Sequence, residues 1–521
     1  MKKYSIIAAA AALALTAVSC GDKFLTVDNP TAEFINDYFT TEEHLTEALY
    51  AAYDPLEWPD YANGQYAPLC IMSDIMADQI WVGGEHAGDN LFWKLMSRFE
   101  ATPENTMTGL WTAGYSGVKR CNDALQYIGW VEDLDPAVAK SYEAQLRVLR
   151  VYYYSWMWKF WGNIPYYEEN LQQPFVCQQF TANEVYSRMI TDLEGAIAID
   201  ALPMRESDER SGLVTKAFAY MLYAELTMYQ KDETRLSQAL NYMKEIIGDP
   251  AYDLYPDYGV IFTEAGEWSQ ESIYEINYKS DGSYRGWEHG EPMIAGGTVL
   301  PRLLGARGFT ATDGSDYKDG WGFAPIRLAL LDVMSPDDAR FDATIWNADA
   351  AGTYSKAYQD TGYFLNKYQP RAQNQYNVAG DGQLNYCNNL RIYRYAETLL
   401  NAAELVVRGY GSGDAAAWLN AVHQRSLRGS TVELSLENIK KERALEFVGE
   451  GKRYWDLVRW EGDNDGITAS DILVADPDGT QGGRTRGWTP AKKYIPIAQT
   501  EIDATADSEF PLQQNSAYLA N

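Results

Sequence analysis

Apolar positions recur at helical spacing along most of the chain. From Tyr142 they run Tyr142, Leu146, Leu149, Tyr153, Trp156 and Phe160, in steps of four and three. That stripe predicts a long helix over 142–160, closed by Gly162 at the cap and Pro165 just beyond. Residues 215–230 (Phe218, Leu222, Leu226, Tyr229) and 234–247 (Leu236, Leu240, Met243, Ile247) predict two more helices. The polar turn Lys231-Asp232-Glu233 joins them into an antiparallel pair of about 33 residues, the size of one tetratricopeptide-like unit. Similar pairs fall at 395–409 with 414–428 and at 105–128 with 138–161. The reading is a mainly α chain of divergent helical hairpins.

Between about 250 and 390 the pattern changes. Helical periodicity fades except near 325–334, and Ser272 to Tyr278 alternates as a strand does. Residues 279–324 are rich in glycine and also hold Tyr284, Trp287, Tyr317 and Trp321. A loop-rich insert of this length inside a compact protein points to function.

The first residues stand apart from the fold. Met1-Lys2-Lys3 is basic, Ile6 to Val18 is an apolar run of thirteen residues, and Ser19-Cys20 closes it. Thirteen residues are too few to span a bilayer core of ~30 Å, so 1–19 reads as a leader. Small residues leading into Cys20 read as a lipobox, which makes Cys20 the lipidated mature terminus. The expected organisation is leader 1–19, an N-terminal helical region 20–260, and a C-terminal region 261–521 carrying the insert. A chain of 521 residues exceeds one hydrophobic core, so packed lobes are expected.

Charge removes several partner classes. With 43 Lys+Arg against 73 Asp+Glu the formal charge is −30, which argues against nucleic acid and anionic lipid. The remaining cysteines, Cys70, Cys121, Cys177 and Cys387, contain no CxxC, so they are expected as buried free thiols. The aromatic load is 38 Tyr, 16 Trp and 16 Phe. Flat rings beside acids, amides and arginines suit the faces and hydroxyls of a pyranose.

Catalytic chemistry is sparse. No phosphate loop, GxGxxG or GxSxG occurs, and His44, His86, His289 and His423 are too dispersed for a local metal pair. The acids of Asp313 to Asp319 fall every third residue, unlike an EF-hand loop. No cofactor or metal is expected. The one enzyme-like pattern is Glu442, Glu446 and Glu450 at i, i+4, i+8, near the ~5 Å spacing of a retaining glycosidase. Arg443, Lys452, Arg453 and Arg459 interleaved with apolar residues make an ion-paired structural seam the favoured reading, with a surface glycosidase using Glu442 and Glu446 as the alternative.

Here the sequence resembles a known family. "IKKERALEFVGEGKRYWDLVRW" (439–460) resembles the C-terminal signature of the SusD/RagB family of outer-membrane nutrient-binding lipoproteins. "CGDKFLTVDNP" (20–30), "LRVLRVYYYSWMWKFWGNIPYY" (146–167), "TKAFAYMLYAELTMYQKD" (215–232), "IYRYAETLLNAAE" (392–404) and "KKYIPIAQTEIDA" (492–504) are similar to its other ordered segments. The resemblance implies a helical-repeat body with an irregular glycan-binding face, lipid-anchored on the outer face of the outer membrane. It also implies a SusC-like, TonB-dependent transporter as partner and delivery of oligosaccharide without cleavage. Peptide or other nutrients, and a fimbria-associated structural role, remain alternatives.

The family's ligand contacts lie in variable loops, so candidates come from position and chemistry. "WGFAPIRLALLDVM" (321–334) resembles the return from the binding loops, which makes Trp321 the first choice. Trp287, Tyr284 and Tyr317 share its insert. Trp81 sits in the loop "DQIWVGGEHAGDN" (78–90), where Asp78 and Asn90 are polar candidates; Arg302 and Arg307 are cationic ones.

Overall fold

The computed structural model describes residues 35–287, 296–474 and 486–519. The leader, Cys20 and His289 lie outside them. Helix α1 (Glu42–Tyr53) starts at Thr41, whose side chain accepts from the His44 amide at 3.3 Å; α2 (Leu91–Ser97) is short. The first expected hairpin is α3 (Gly109–Ile128) with α4 (Pro136–Trp161). Asp135 caps α4 ahead of Pro136, and Gly162, at φ 70°, ends it. Helix α5 (Ala182–Ala198) opens on a reciprocal Thr181–Glu184 capping box. Then come α6 (Lys216–Gln230) and α7 (Leu236–Gly248), with Lys231 in left-handed conformation at the turn.

Each helix packs on the next from α3 to α7, and α8 (Tyr395–Val407) packs on α7, followed by α9 (Ala415–Ser426). The series therefore continues across the long excursion between Gly248 and Tyr395. Helix α4 departs from a one-faced stripe. Tyr152, Tyr153 and Tyr154 are all buried, as are Val151 and Trp156 to Trp158, so its C-terminal half is covered on every side. Arg150 is tolerated there because Asp192 of α5 holds it at 2.8 Å.

Within the excursion, regular structure is sparse. Two-stranded ribbons there pair β3 (Ser272–Ile276) with β8 (Leu390–Arg394), β4 (Thr310–Ala311) with β6 (Gly352–Thr353), and β5 (Ile345–Asn347) with β7 (Tyr363–Leu365), while β1 (Ile164–Pro165) and β2 (Gln179–Phe180) pair earlier, between α4 and α5. The expected strand at 272–278 is β3, yet both of its faces are buried. Glu275 is accommodated by accepting from the Trp268 amide at 3.0 Å and Asn389 Nδ2 at 3.0 Å. The helical pattern expected at 325–334 yields only one tight turn, Leu328–Leu330. Cys70, Cys121 and Cys387 are buried free thiols; Cys177 is free but half-exposed, because it lies on the loop before β2.

After α10 (Leu436–Glu446) the chain turns through Gly449 and Gly451, both at φ 74°, into α11 (Arg453–Arg459). Glu450 therefore leaves the helix that carries Glu442 and Glu446, which corrects the expected i, i+8 face. The chain closes with α12 (Gln499–Thr505).

Candidate glycan-binding site

The site begins with a turn. In Tyr61-Ala-Asn-Gly-Gln-Tyr66, Asn63 and Gly64 both take positive φ (50° and 70°), the demand of a type I′ hairpin turn. Ala62 and Gln65 exchange both backbone hydrogen bonds at 2.9 Å, leaving the two tyrosines stacked at 5.1 Å. The second arm of the hairpin is fixed by two neighbours. Trp93 Nε1 donates to the Tyr66 carbonyl at 2.8 Å, and Gln65 Oε1 accepts from the amides of Thr108 and Gly109 at the start of α3.

Two tryptophans of the insert meet these tyrosines. Trp287 lies edge-on to Tyr61 at 5.7 Å, Trp321 edge-on to Tyr66 at 5.4 Å, and the two indoles lie 6.0 Å apart at 31°. The four rings form a closed set, each half-buried. Such packing holds the rings in place while leaving part of each to solvent.

Buried charge positions the set. Asp60, next to Tyr61, takes both prongs of the Arg285 guanidinium at 2.7 and 3.0 Å, and also accepts from Thr298 Oγ1 and the Val299 amide. Burial alone would lower the Arg285 pKa; the Asp60 carboxylate beside it overrides that and raises it. On the other flank, the Trp321 amide donates to the Arg302 carbonyl at 2.8 Å. The Arg302 guanidinium lies 5.9 Å from the Trp321 ring and is held by Asp319 at 2.7 Å.

Other expected contacts are employed elsewhere. Trp81 is only 3 % exposed, and the Arg327 guanidinium covers its ring at 3.6 Å, so it offers no open face. Asp78 binds Arg453 through two bonds of 2.8 and 3.0 Å; burial would raise its pKa, but Arg453 lowers it. Tyr317 packs against Trp346 at 4.7 Å with the rings tilted by 34°, and its hydroxyl donates to Asn366 and accepts from Arg371. Arg307 pairs with Glu85 at 3.0 Å, and Asn90 serves as the left-handed residue (φ 45°) ahead of α2. Tyr284, 65 % exposed, stands outside the four-ring set.

The acidic pattern at 442–450 is a buried network. Arg340 binds Asp338 at 2.7 Å, Glu442 at 2.6 Å and Glu446 at 3.3 Å. Arg394 binds Glu271, Glu446 and Glu450 at 2.6, 2.9 and 2.7 Å; Arg425 also reaches Glu271 and Glu446. Burial would raise the Glu446 carboxyl, but Arg425, Arg394 and Arg340 hold it well below the usual carboxylate range. A glycosidase needs one raised and one free carboxylate facing substrate. Glu446 is fully buried and saturated by guanidiniums, so the pair is a structural seam and not a catalytic one.

Tyr61 and Tyr66 escaped the sequence reading. The signal was present: an Asn-Gly pair flanked symmetrically by aromatics.

Helical hairpins, an irregular insert and a surface ring cluster together define a repeat-scaffold binding protein. The chain belongs to the SusD family, whose profile matches residues 221–518; a second profile, described as starch-binding associating with outer membrane, matches residues 23–228. Among solved structures it is similar to surface glycan-binding protein A from Bacteroides thetaiotaomicron in complex with laminarihexaose, at 50 % identity and a TM-score of 0.85, covering 91 % of this chain and all of that one. The corresponding protein of Bacteroides fluxus is 36 % identical, with a TM-score of 0.84 over 92 % of this chain and all of its own. A curated SusD-like protein of Bacteroides ovatus is 22 % identical over 88 % of this chain and 83 % of that one.

Proposed function

We propose that this protein captures neutral glucan chains at the cell surface, without cleaving them, and passes them to a SusC-like transporter. The observation that carries the reading is the four-ring set of Tyr61, Tyr66, Trp287 and Trp321, braced by Asp60–Arg285 and bordered by Arg302 and Asp319. Flat ring faces take the C–H face of a pyranose, and the bordering charges take hydroxyls. The acidic balance of the chain favours a neutral ligand over a polyanion. The laminarihexaose bound by a protein 50 % identical supports a laminari-type glucan as the ligand class. Acylation of Cys20 would supply the anchor to the outer membrane; among the described residues no helix is long and apolar enough to cross a membrane.

Calorimetric titration of the lipid-free protein with laminarihexaose tests this. Net affinity after the cost of ordering the sugar falls in the range of about micromolar to millimolar. Heat of binding with intact hexasaccharide recovered is the expected result. No heat, or release of shorter sugars, overturns it.

A further inference from the structure

Beyond the four rings, a polar lane leads away from Trp321 to a second aromatic edge. Arg302 and Asp319 begin it, paired at 2.7 Å. The residue before Asp319, Lys318, reaches the amide oxygen of Gln375, and Gln375 precedes Tyr376, which is 48 % exposed. The loop bearing Tyr376 runs beside the loop bearing Tyr284. The Gly282 amide donates to the Asn377 carbonyl at 3.0 Å, the Ala379 and Gly380 amides donate to the Ser283 carbonyl at 3.0 and 2.8 Å, and the Asp381 amide donates to the Arg285 carbonyl at 3.0 Å. The approach is close enough to require glycine at 380. A Cβ there would stand 2.4 Å from the Arg285 carbonyl oxygen and 2.6 Å from the Tyr284 carbonyl carbon. The same Arg285 that braces Trp287 thus also braces this edge.

Tyr284 and Tyr376 are large rings left to solvent on two loops tied by four backbone hydrogen bonds. Exposed aromatics on a fixed backbone cost little to order when a flat ligand lands on them. The lane between them and Trp321 offers ammonium, guanidinium, carboxylate and amide groups, a set that both donates to and accepts from hydroxyls.

We infer that Tyr284 and Tyr376 form a second platform for the same glucan chain, with Lys318 and Gln375 contacting sugar hydroxyls between the platforms. The inference rests on the glucan-binding reading above and adds chain-length selectivity to it. A short oligosaccharide fills only the four-ring set; a polymer spans both platforms and gains the second set of contacts without a second association cost.

The test uses laminaritriose, laminarihexaose and polymeric laminarin titrated into the intact lipid-free protein and into a Tyr284→Ala/Tyr376→Ala double variant. In the wild type, affinity rises with chain length. In the double variant the ratio of polymer to trisaccharide affinity falls about tenfold, with thermal unfolding unchanged because both side chains are exposed. A Lys318→Ala/Gln375→Ala variant lowers the same ratio in the same direction. An undiminished length dependence in the double variant overturns the second platform while leaving the first intact. Wild-type protein that binds none of the three glucans overturns both.

Discussion

Asp60 and Arg285 meet as a two-pronged ion pair across 225 residues of sequence, both almost wholly buried. Asp60 precedes Tyr61 and Arg285 lies two residues before Trp287, so this contact sets one side of the ring cluster. Arg285→Met strands the carboxylate, which costs ~3–5 kcal/mol when a buried pair loses one partner. Thermal unfolding is expected to fall sharply and laminarihexaose affinity to fall with it. The Asp60→Asn/Arg285→Met double variant, which removes the stranded charge, recovers part of the stability; failure to do so contradicts the assignment.

Trp321→Ala separates binding from folding. A sugar face that covers on the order of 50–80 Å² of indole contributes roughly 1–2 kcal/mol at ~25 cal/mol per Å². Affinity for laminarihexaose is expected to drop about tenfold, with a melting temperature close to that of the wild type, since the indole is only half-buried. Titration calorimetry beside thermal unfolding distinguishes this from a core defect.

Glu446→Ala has the opposite signature. Three guanidiniums, those of Arg340, Arg394 and Arg425, lose a shared partner, and all three side chains are largely buried. The loss is again ~3–5 kcal/mol. Denaturant melts report it, while the affinity per folded molecule stays that of the wild type. Unchanged stability with loss of a hydrolytic activity would restore the glycosidase reading.

Glu57 makes the site's surroundings sensitive to pH. Burial pushes its carboxyl up to about 8, against a hydrogen bond from the Gly296 amide. A carboxyl with a raised folded pKa favours the folded state while neutral, so its contribution is full below about 4.5 and is lost as pH rises through about 8. Glu57→Gln keeps the acceptor and removes the titration. The melting temperature of the variant minus that of wild type is expected to grow from pH 5 to pH 9; a flat difference excludes Glu57 as the group responsible.

Cys20→Ala tests the anchor. A single acylated terminus supplies all the attachment proposed, so the variant is expected to leave the membrane fraction or to retain its leader uncleaved. Detergent phase separation of cells expressing each form reads the outcome, and an equal membrane-bound share refutes the lipobox.

What the sequence disclosed follows the range of the forces involved. The hairpins at 109–161, 216–248 and 395–426 were legible because helical periodicity, caps and turns are local. The family motifs were legible for the same reason. Trp287 and Trp321 were named from composition and position, but their meeting with Tyr61 and Tyr66 depends on Asp60 finding Arg285, which no local pattern encodes. Trp81 failed as an open platform for a matching reason: the cation that covers it, Arg327, comes from 246 positions downstream. Strand alternation located β3 but not the burial of both its faces, because the partners of Glu275 come from the neighbouring loop and from beside β8.

On the proposed reading, the ring cluster also makes ligand capture a test of completeness. Two of its rings come from the segment before α3 and two from the excursion between α7 and α8, so neither segment carries the four-ring set alone. On the proposed reading, a chain truncated before the excursion lacks both indoles and with them the first platform for sugar. Binding competence on that reading depends on contacts between segments 225 or more residues apart, which a folding chain closes later than its local hairpins. If the proposed site is the one that holds glycan, a finished molecule is the form that competes for it.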